Sequence, residues 1–563
     1  MTDATTPKSP IDEISERFLD AYVELVPTAA TYMGIEGHDD QYPDYSPAGF
    51  DALIELNRRT VAEAEATQTP SEREQVAKEA LLERLGLELE SYEAGVPQHQ
   101  LNAIMSVPAE LRQVFDLMPT DTDEQWETIA TRLGKIGATL DGYRQSILEQ
   151  AAQGRVSAVR QVNDLALRIA SWTGAEGDDF FAGLAAQAPD TAVKATVEAA
   201  AAEARKAYDQ FGSWLETELA PQAPTRDACG REVYELASRN FLGAKVDLAE
   251  TYAWGWEELA RIEAEMQAIA ADLNSGDRSI EAAAELLDND PSRKIHGKEA
   301  FRDWMQQLAD AAVSELAGTH FDIPDEIKRI ECMIAPTSDG SIYYTGPSED
   351  LTTRPGRMWW AVPAGLTDFA TWREVTTVYH EGVPGHHLQV AQTMLRTDLL
   401  NRWQRMACWV SGHGEGWALY AERLMDELGY LDDPGAKLGM LDAQAFRSAR
   451  VIIDIGMHLE LQIPAENPFG FHPGETWNAD LGFEFLRGHS RMETEFLQAE
   501  LNRYLGWPGQ APSYKVGERI WLQAREEAKQ RKGTAFDLRA FHRDALNLGS
   551  IGLDPLLSAL RRL

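Results

Sequence analysis

Three of the chain's 12 histidines fall within eight residues, in TTVYHEGVPGHHLQVAQ, and the first of them, His380, is followed at once by Glu381. Imidazoles beside a carboxylate suit metal-assisted hydrolysis: neutral ring nitrogens bind a zinc-like ion, and a neighbouring glutamate takes a proton from water. In the usual HExxH signature the two histidines stand four apart on one helical face. Here Pro384 occupies the fourth position after His380, so that spacing fails. On an unbroken helix at about 100° per residue, His386 would lie roughly 120° from His380, and His387 about 20° away but about 10 Å further along the axis. Pro384-Gly385 is where a helix bulges or kinks, because proline lacks the donor and crowds the preceding turn. A local two-residue bulge would return His386 to the ligand position, with His387 as its rival and otherwise a supporting residue.

A third ligand must come from another element. WVSGHGEGWALYAERLMDELG offers Glu415 between Gly414 and Gly416, 29 residues after His386. The flanking glycines let a backbone or a substrate approach closely. Glu422, two turns on, is expected to orient a ligand histidine. The expected set is therefore one zinc ion on His380, His386 and Glu415, with Glu381 as general base. Other chemistry finds no support: no histidine has a glutamate three residues before it, as di-iron bundles require, and no P-loop, GxGxxG or GxSxG occurs.

HEGVPGHHLQ together with GEGWALYAE resembles a widespread bacterial family of unknown function that carries this stretched histidine motif. That family is similar in fold to thermostable carboxypeptidases of the Taq type, and more distantly to oligopeptidases of the neurolysin and angiotensin-converting kind. The resemblance implies a helical zinc peptidase around a deep cleft. It also favours His386 over His387, since Gly385-His386 aligns with the GH that often ends HExxH once two residues are inserted after the glutamate.

Beyond the motif, an oxyanion donor is needed. Tyr514, in PGQAPSYKVGERIW, opens a helix after a Pro/Gly-rich turn and resembles the tyrosine of the family's PGQ-containing block; a structural role is the competing reading. Arg450 and His458 share one helix with a buried face. Arg450 either pairs with Asp454, four residues on, or grips a substrate carboxylate. Tyr343 and Tyr344 lie on an expected strand that would pack, or pair with an extended substrate, while Trp359-Trp360 would anchor that strand region to helices.

These residues need a scaffold. Alanine- and glutamate-rich stretches with apolar residues three and four apart predict helices near 11–30, 48–69, 72–93, 123–152 and 187–219, a bundle within residues 1–320. Residues 321–366 mix β-branched and aromatic residues around Asp339-Gly340, which predicts a hairpin and a further strand. Helices return over 367–563 and carry the motifs. The expected fold is mainly α, a large zincin-like helical body with a deep cleft and one small antiparallel sheet, the three regions forming one continuous unit.

Ninety-one acidic against 52 basic residues leave a net charge of −39, which repels phosphate backbones and anionic lipid and so argues against nucleic-acid or membrane partners. The polar, acidic N-terminus and the lack of any run of about 18 apolar residues lead to the expectation of a cytoplasmic protein. Cys229, Cys332 and Cys408 are far apart and form no CxxC pair, so they read as buried thiols. The function expected is a zinc-dependent peptidase, carboxypeptidase- or oligopeptidase-like, acting on short peptides. Its rivals are a helical peptide- or small-molecule-binding protein without hydrolysis, and a zinc hydrolase of another amide or an ester.

Overall fold

Helix starts follow from local chemistry. Ser9 caps Pro10–Leu25 reciprocally with Asp12, Ser71 caps Glu72–Glu93 with Glu74, and Thr122 caps Asp123–Ala152 with Gln125. In each, a hydroxyl and a carboxyl or amide satisfy amides that the first turn leaves unpaired. This is a computed structural model that describes residues 9–563 apart from 176, 178, 336–341 and 364. The five expected N-terminal helices form, with two changes. The first divides at Val26 into Pro10–Leu25 and Pro27–Met33, because proline opens a new helix. The last begins at Val193, runs to Trp214 and ends in a wide turn over Leu215–Leu219.

One core runs through residues from Ile11 to Leu560, joining the first helices to most of the chain after Tyr234, although the buried residues of the sheet region between Phe301 and Val378 form a cluster of their own. A second, from Phe50 to Leu219, is built by the helices Asp123–Ala152, Val159–Trp172 and Val193–Trp214. The molecule is thus mainly helical, and its first 90 residues pack against its last: Arg562 binds Glu79 at 2.9 Å.

The strand region departs from a hairpin. Ile330–Ile334 pairs in parallel with Gly356–Trp360, which pairs antiparallel with Ile342–Thr345, so the last strand in sequence lies in the middle and the sheet is mixed. The expected Asp339-Gly340 turn lies outside the described residues. Gly356–Trp360 takes the centre because Gly356, Met358 and Trp360 bury one face. Trp360 anchors the sheet as expected, its indole N–H donating to Glu374 at 3.0 Å, while Trp359 stacks on Tyr343. A second sheet, Lys294–His296 with Asp368–Ala370, was not foreseen, since three-residue strands carry no readable period. No helix among the described residues is long and apolar enough to cross a membrane.

Among the buried histidines, His542 has a readable consequence. His542 is fully buried, accepts or donates at 2.7 Å with the Tyr420 hydroxyl and stacks 4.6 Å from Phe321. Burial, with the Arg525 cation nearby, pushes its pKa down to about 3. The folded chain therefore holds it neutral, while the unfolded chain takes up a proton below pH ~6.5. Stability is lost as pH falls from that value toward 3, by up to about 1.4 kcal/mol per unit from this group. Denaturation midpoints at pH 7, 6 and 5 are expected to fall less steeply in His542→Phe than in wild type; equal slopes would refute the assignment.

Candidate metal centre

The helix carrying His380 runs over Thr371–Glu381 and stops, and a new helix starts at His386 and ends at Leu395. The expected bulge is therefore a complete break. Gly382, Val383, a cis-linked Pro384 and Gly385 form the turn between the helices. The turn folds tightly back: the Gly385 N–H donates to the Tyr379 carbonyl at 3.1 Å, and that of His387 to the Gly382 carbonyl at 3.1 Å. A Cβ on Gly385 would sit 2.0 Å from the His380 carbonyl oxygen, so only glycine fits. The Trp417 indole N–H donates to the Pro384 carbonyl at 2.8 Å and pins the turn from outside. The result sets the His386 ring perpendicular to that of His380, with centroids 4.8 Å apart.

Glu415 arrives on the helix Ser411–Glu427. That helix crosses Ser513–Lys532 at contact of backbones: a Cβ on Gly416 would lie 2.4 Å from a Gly517 backbone carbon, and one on Gly517 would lie 2.1 Å from the Gly412 carbonyl oxygen. The glycines beside Glu415 serve this crossing and, at Gly414, the Trp409 indole. Glu415 Oε2 stands 3.4 Å from Nε2 of His380 and 3.4 Å from Nε2 of His386. A tetrahedral ion with bonds of about 2.0–2.1 Å separates its ligands by about 3.3–3.4 Å. His380, Glu381 and His386 also each offer an atom within 4.8 Å of the others.

Buried Glu415 Oε2, which faces both histidine Nε2 atoms, and Glu381 Oε2 have no hydrogen-bond partner, a costly state for buried polar atoms that an ion and its water would relieve; His386 Nδ1, away from the ligating Nε2, is also unpartnered. His380 is oriented by Glu422: its Nδ1–H donates to Oε1 at 2.7 Å, and the Thr376 hydroxyl holds Oε2 at 2.7 Å. This fixes the tautomer that leaves Nε2 free to ligate. Burial disfavours a charged His380, yet the Glu415 and Glu422 carboxylates outweigh it and push its pKa up to about 9. Burial raises the Glu381 carboxyl above its ordinary value. Burial would do the same to Glu415, but the two histidines hold it well below the carboxylate range. Two buried carboxylates and a third, Glu415, that is mostly buried stand around two imidazoles and call for positive charge, which a divalent cation fits. Glu422→Gln is expected to weaken metal binding about 10- to 100-fold with the fold intact, as titration against a competing chelator would measure; undiminished affinity would deny Glu422 its orienting role.

His387 takes no part in the cluster. Its Nε2–H donates to the Ile327 carbonyl at 2.7 Å and its Nδ1 accepts from the Tyr344 hydroxyl at 2.9 Å, and burial pushes its pKa down to about 4. Tyr514 opens Ser513–Lys532 as expected, and burial together with Glu415 pushes its hydroxyl up to about 12. Arg450 does not pair with Asp454: it donates to Glu500 at 2.9 Å and lies 5.2 Å over the Tyr514 ring. Asp454 instead accepts from the Tyr234 hydroxyl at 2.6 Å and the Gly509 N–H at 2.9 Å. His458 is fully buried against the Tyr504 carbonyl and the Cys229 N–H, away from the cluster, and braces the fold.

Two residues went unforeseen. Trp409, 48% exposed, lies 6.2 Å from the His386 ring and marks where solvent reaches the site, along with the 18% exposure of the Glu415 side chain. Arg447 stands 3.8 Å from Glu422 and 5.8 Å over the Tyr514 ring. Its spacing from Arg450 along the helix was readable in sequence, but its neighbours come from two other helices.

Two solved structures share this fold. One is described as "the putative lipoprotein from Colwellia psychrerythraea", with a TM-score of 0.82 and 21% identity over 98% of each chain. The other is "a putative lipoprotein of unknown function from Shewanella oneidensis", with a TM-score of 0.76 and 18% identity over 98% of this chain and 99% of that one. At such identities the likeness concerns fold alone. No curated protein matches the chain. The cytoplasmic placement expected from N-terminal composition does not stand, because both of these structures are described as lipoproteins. The sequence model of a bacterial protein family of unknown function, DUF885, matches residues 27–560, and the chain belongs to that family.

Proposed function

We propose that this protein is a zinc-dependent peptidase of short peptides, carboxypeptidase- or oligopeptidase-like. The observation that carries the reading is Glu415 Oε2, buried, without a hydrogen-bond partner, and 3.4 Å from both histidine Nε2 atoms. HEGVPGHHLQ then acts as a stretched HExxH, its two extra residues taken up by the turn between helices. His380, His386 and Glu415 would hold the ion. When bound, zinc supplies a Lewis acid that polarises a carbonyl and acidifies water.

The chain's own groups do the rest. Glu381, with its carboxyl raised by burial and Oε2 unengaged, takes the proton from the attacking water and returns it to the leaving amine. The Tyr514 hydroxyl, kept protonated, donates a hydrogen bond to the developing oxyanion. Glu422 keeps His380 in the ligating tautomer. The edge strand Ile342–Thr345, joined to the motif through Tyr344 and His387, offers a main chain for an extended substrate to pair with. The two lipoprotein likenesses favour a setting at a membrane outside the cytoplasm.

The test is hydrolysis of a panel of short peptides, acylated amino acids and esters by purified protein. Peptide cleavage abolished by a chelator and restored by zinc is expected. A folded, zinc-loaded protein inert toward every peptide would overturn the reading.

A further inference from the structure

The long helix Pro434–His458 lies behind the cluster, and from Gln444 to its end every residue is buried except Arg447. Solvent thus reaches this stretch at one side chain, which is 18% exposed and sits among the groups proposed to do the chemistry. Its guanidinium is 3.8 Å from Glu422, lies over the ring of Tyr514, and acts on His380 and Glu381 through its charge.

The neighbouring arginines are each tied to a carboxylate, and the donors that Arg450 Nε and Arg423 Nη2 leave unpaired are buried away from solvent. Arg450 and Arg503 both donate to Glu500, and Arg423 donates to Gln444 and Glu265. Arg447, among the described residues, makes no hydrogen bond, and its ion pair with Glu422 is long. Glu422 is itself committed to His380 and Thr376. A guanidinium carries five N–H donors in a planar fork that matches a carboxylate two bonds at a time. In a chain of net charge −39, an open cation beside buried carboxylates is not surface decoration.

We infer that Arg447 is the specificity-determining residue of the site, gripping a free carboxylate on the substrate, so that the preferred substrates are amides whose leaving amine bears a carboxylate. A peptide C-terminus and an N-acyl amino acid share that chemistry. The inference rests on the hydrolase reading for its substrate and on the geometry of Arg447 for its selectivity. It assigns the carboxylate-binding role to Arg447 rather than to Arg450, whose Nη2 donates to Glu500.

The experiment compares wild type, Arg447→Met and Arg447→Lys, each zinc-loaded, on benzoyl-glycyl-phenylalanine and its C-terminal amide. Glycyl-glycyl-phenylalanine and N-acetylphenylalanine are added to separate the two carboxylate sources. Wild type is expected to show a KM at least ~10-fold lower for the acid than for the amide. Arg447→Met, which keeps the aliphatic stem, is expected to raise KM for the acid about 10- to 100-fold relative to that for the amide, a ratio in which any effect of the lost charge on His380 and Glu381 is common to both substrates and cancels. Arg447→Lys is expected to recover part of the preference, keeping the charge without the fork. Calorimetric binding of N-acetylphenylalanine against its amide supplies a readout independent of turnover. Tighter binding of the acid, lost in Arg447→Met, sustains the inference even if nothing is cleaved, and a failure of cleavage then counts against the hydrolase reading alone. Equal treatment of acid and amide by wild type, or a preference that survives Arg447→Met, overturns it.

Discussion

Glu381→Gln is expected to lower peptide turnover by about 10²- to 10⁴-fold, the range for losing a positioned general base, while zinc content and thermal stability stay near those of wild type. The substitution preserves shape and removes the charge. Glu381 Oε2 makes no hydrogen bond that the fold would miss, so the variant should fold normally. The zinc set proposed here, His380, His386 and Glu415, does not include it, so the ion should remain. Loss of turnover with metal retained separates a base from a ligand. If the variant loses its zinc, Glu381 is a ligand; if it keeps full turnover, the base lies elsewhere.

Gly385→Ala is expected to destabilise the fold by about 3 kcal/mol or more, at the upper end of what overpacking costs, and to lose zinc. The new Cβ would fall 2.0 Å from the His380 carbonyl oxygen and 2.5 Å from that of Tyr379, both backbone atoms of a helix end that cannot swing aside. Relief requires the turn to open, which carries His386 away from His380. Gly86→Ala is the matched control, since it lies inside Glu72–Glu93 with nothing within 4 Å of its would-be Cβ. There the change should be neutral or stabilising by up to about 1 kcal/mol, the helix-propensity difference. Urea denaturation with metal analysis of both variants checks the pair, and a Gly385→Ala protein as stable and zinc-rich as the control would contradict the account of the turn.

What could be read from sequence was local. Capping boxes at Ser9, Ser71 and Thr122 place helix starts, because both partners lie within four residues. His380, Glu381, His386 and Glu415 stood out because their types and spacing state a chemistry before any fold is known. The mechanism that joins the two histidines did not, since a bulge and a full break leave the same residues in the same order. The break depends on Gly385 turning where any side chain would strike the helix behind it. Pairings across the fold were beyond reach for the same reason: Arg450 finds Glu500 rather than Asp454, and Gly356–Trp360 enters between two strands that precede it. Arg447 escaped notice because its setting is composed of Glu422 and Tyr514, each from a different helix.

The most direct test of the central claim is elemental analysis of purified protein, wild type beside His386→Ala and His387→Ala, with zinc counted per folded chain. About one zinc per chain in wild type, lost in His386→Ala and kept in His387→Ala, is the predicted result. Full zinc in the His386 variant, or none in wild type after zinc is supplied, would contradict it.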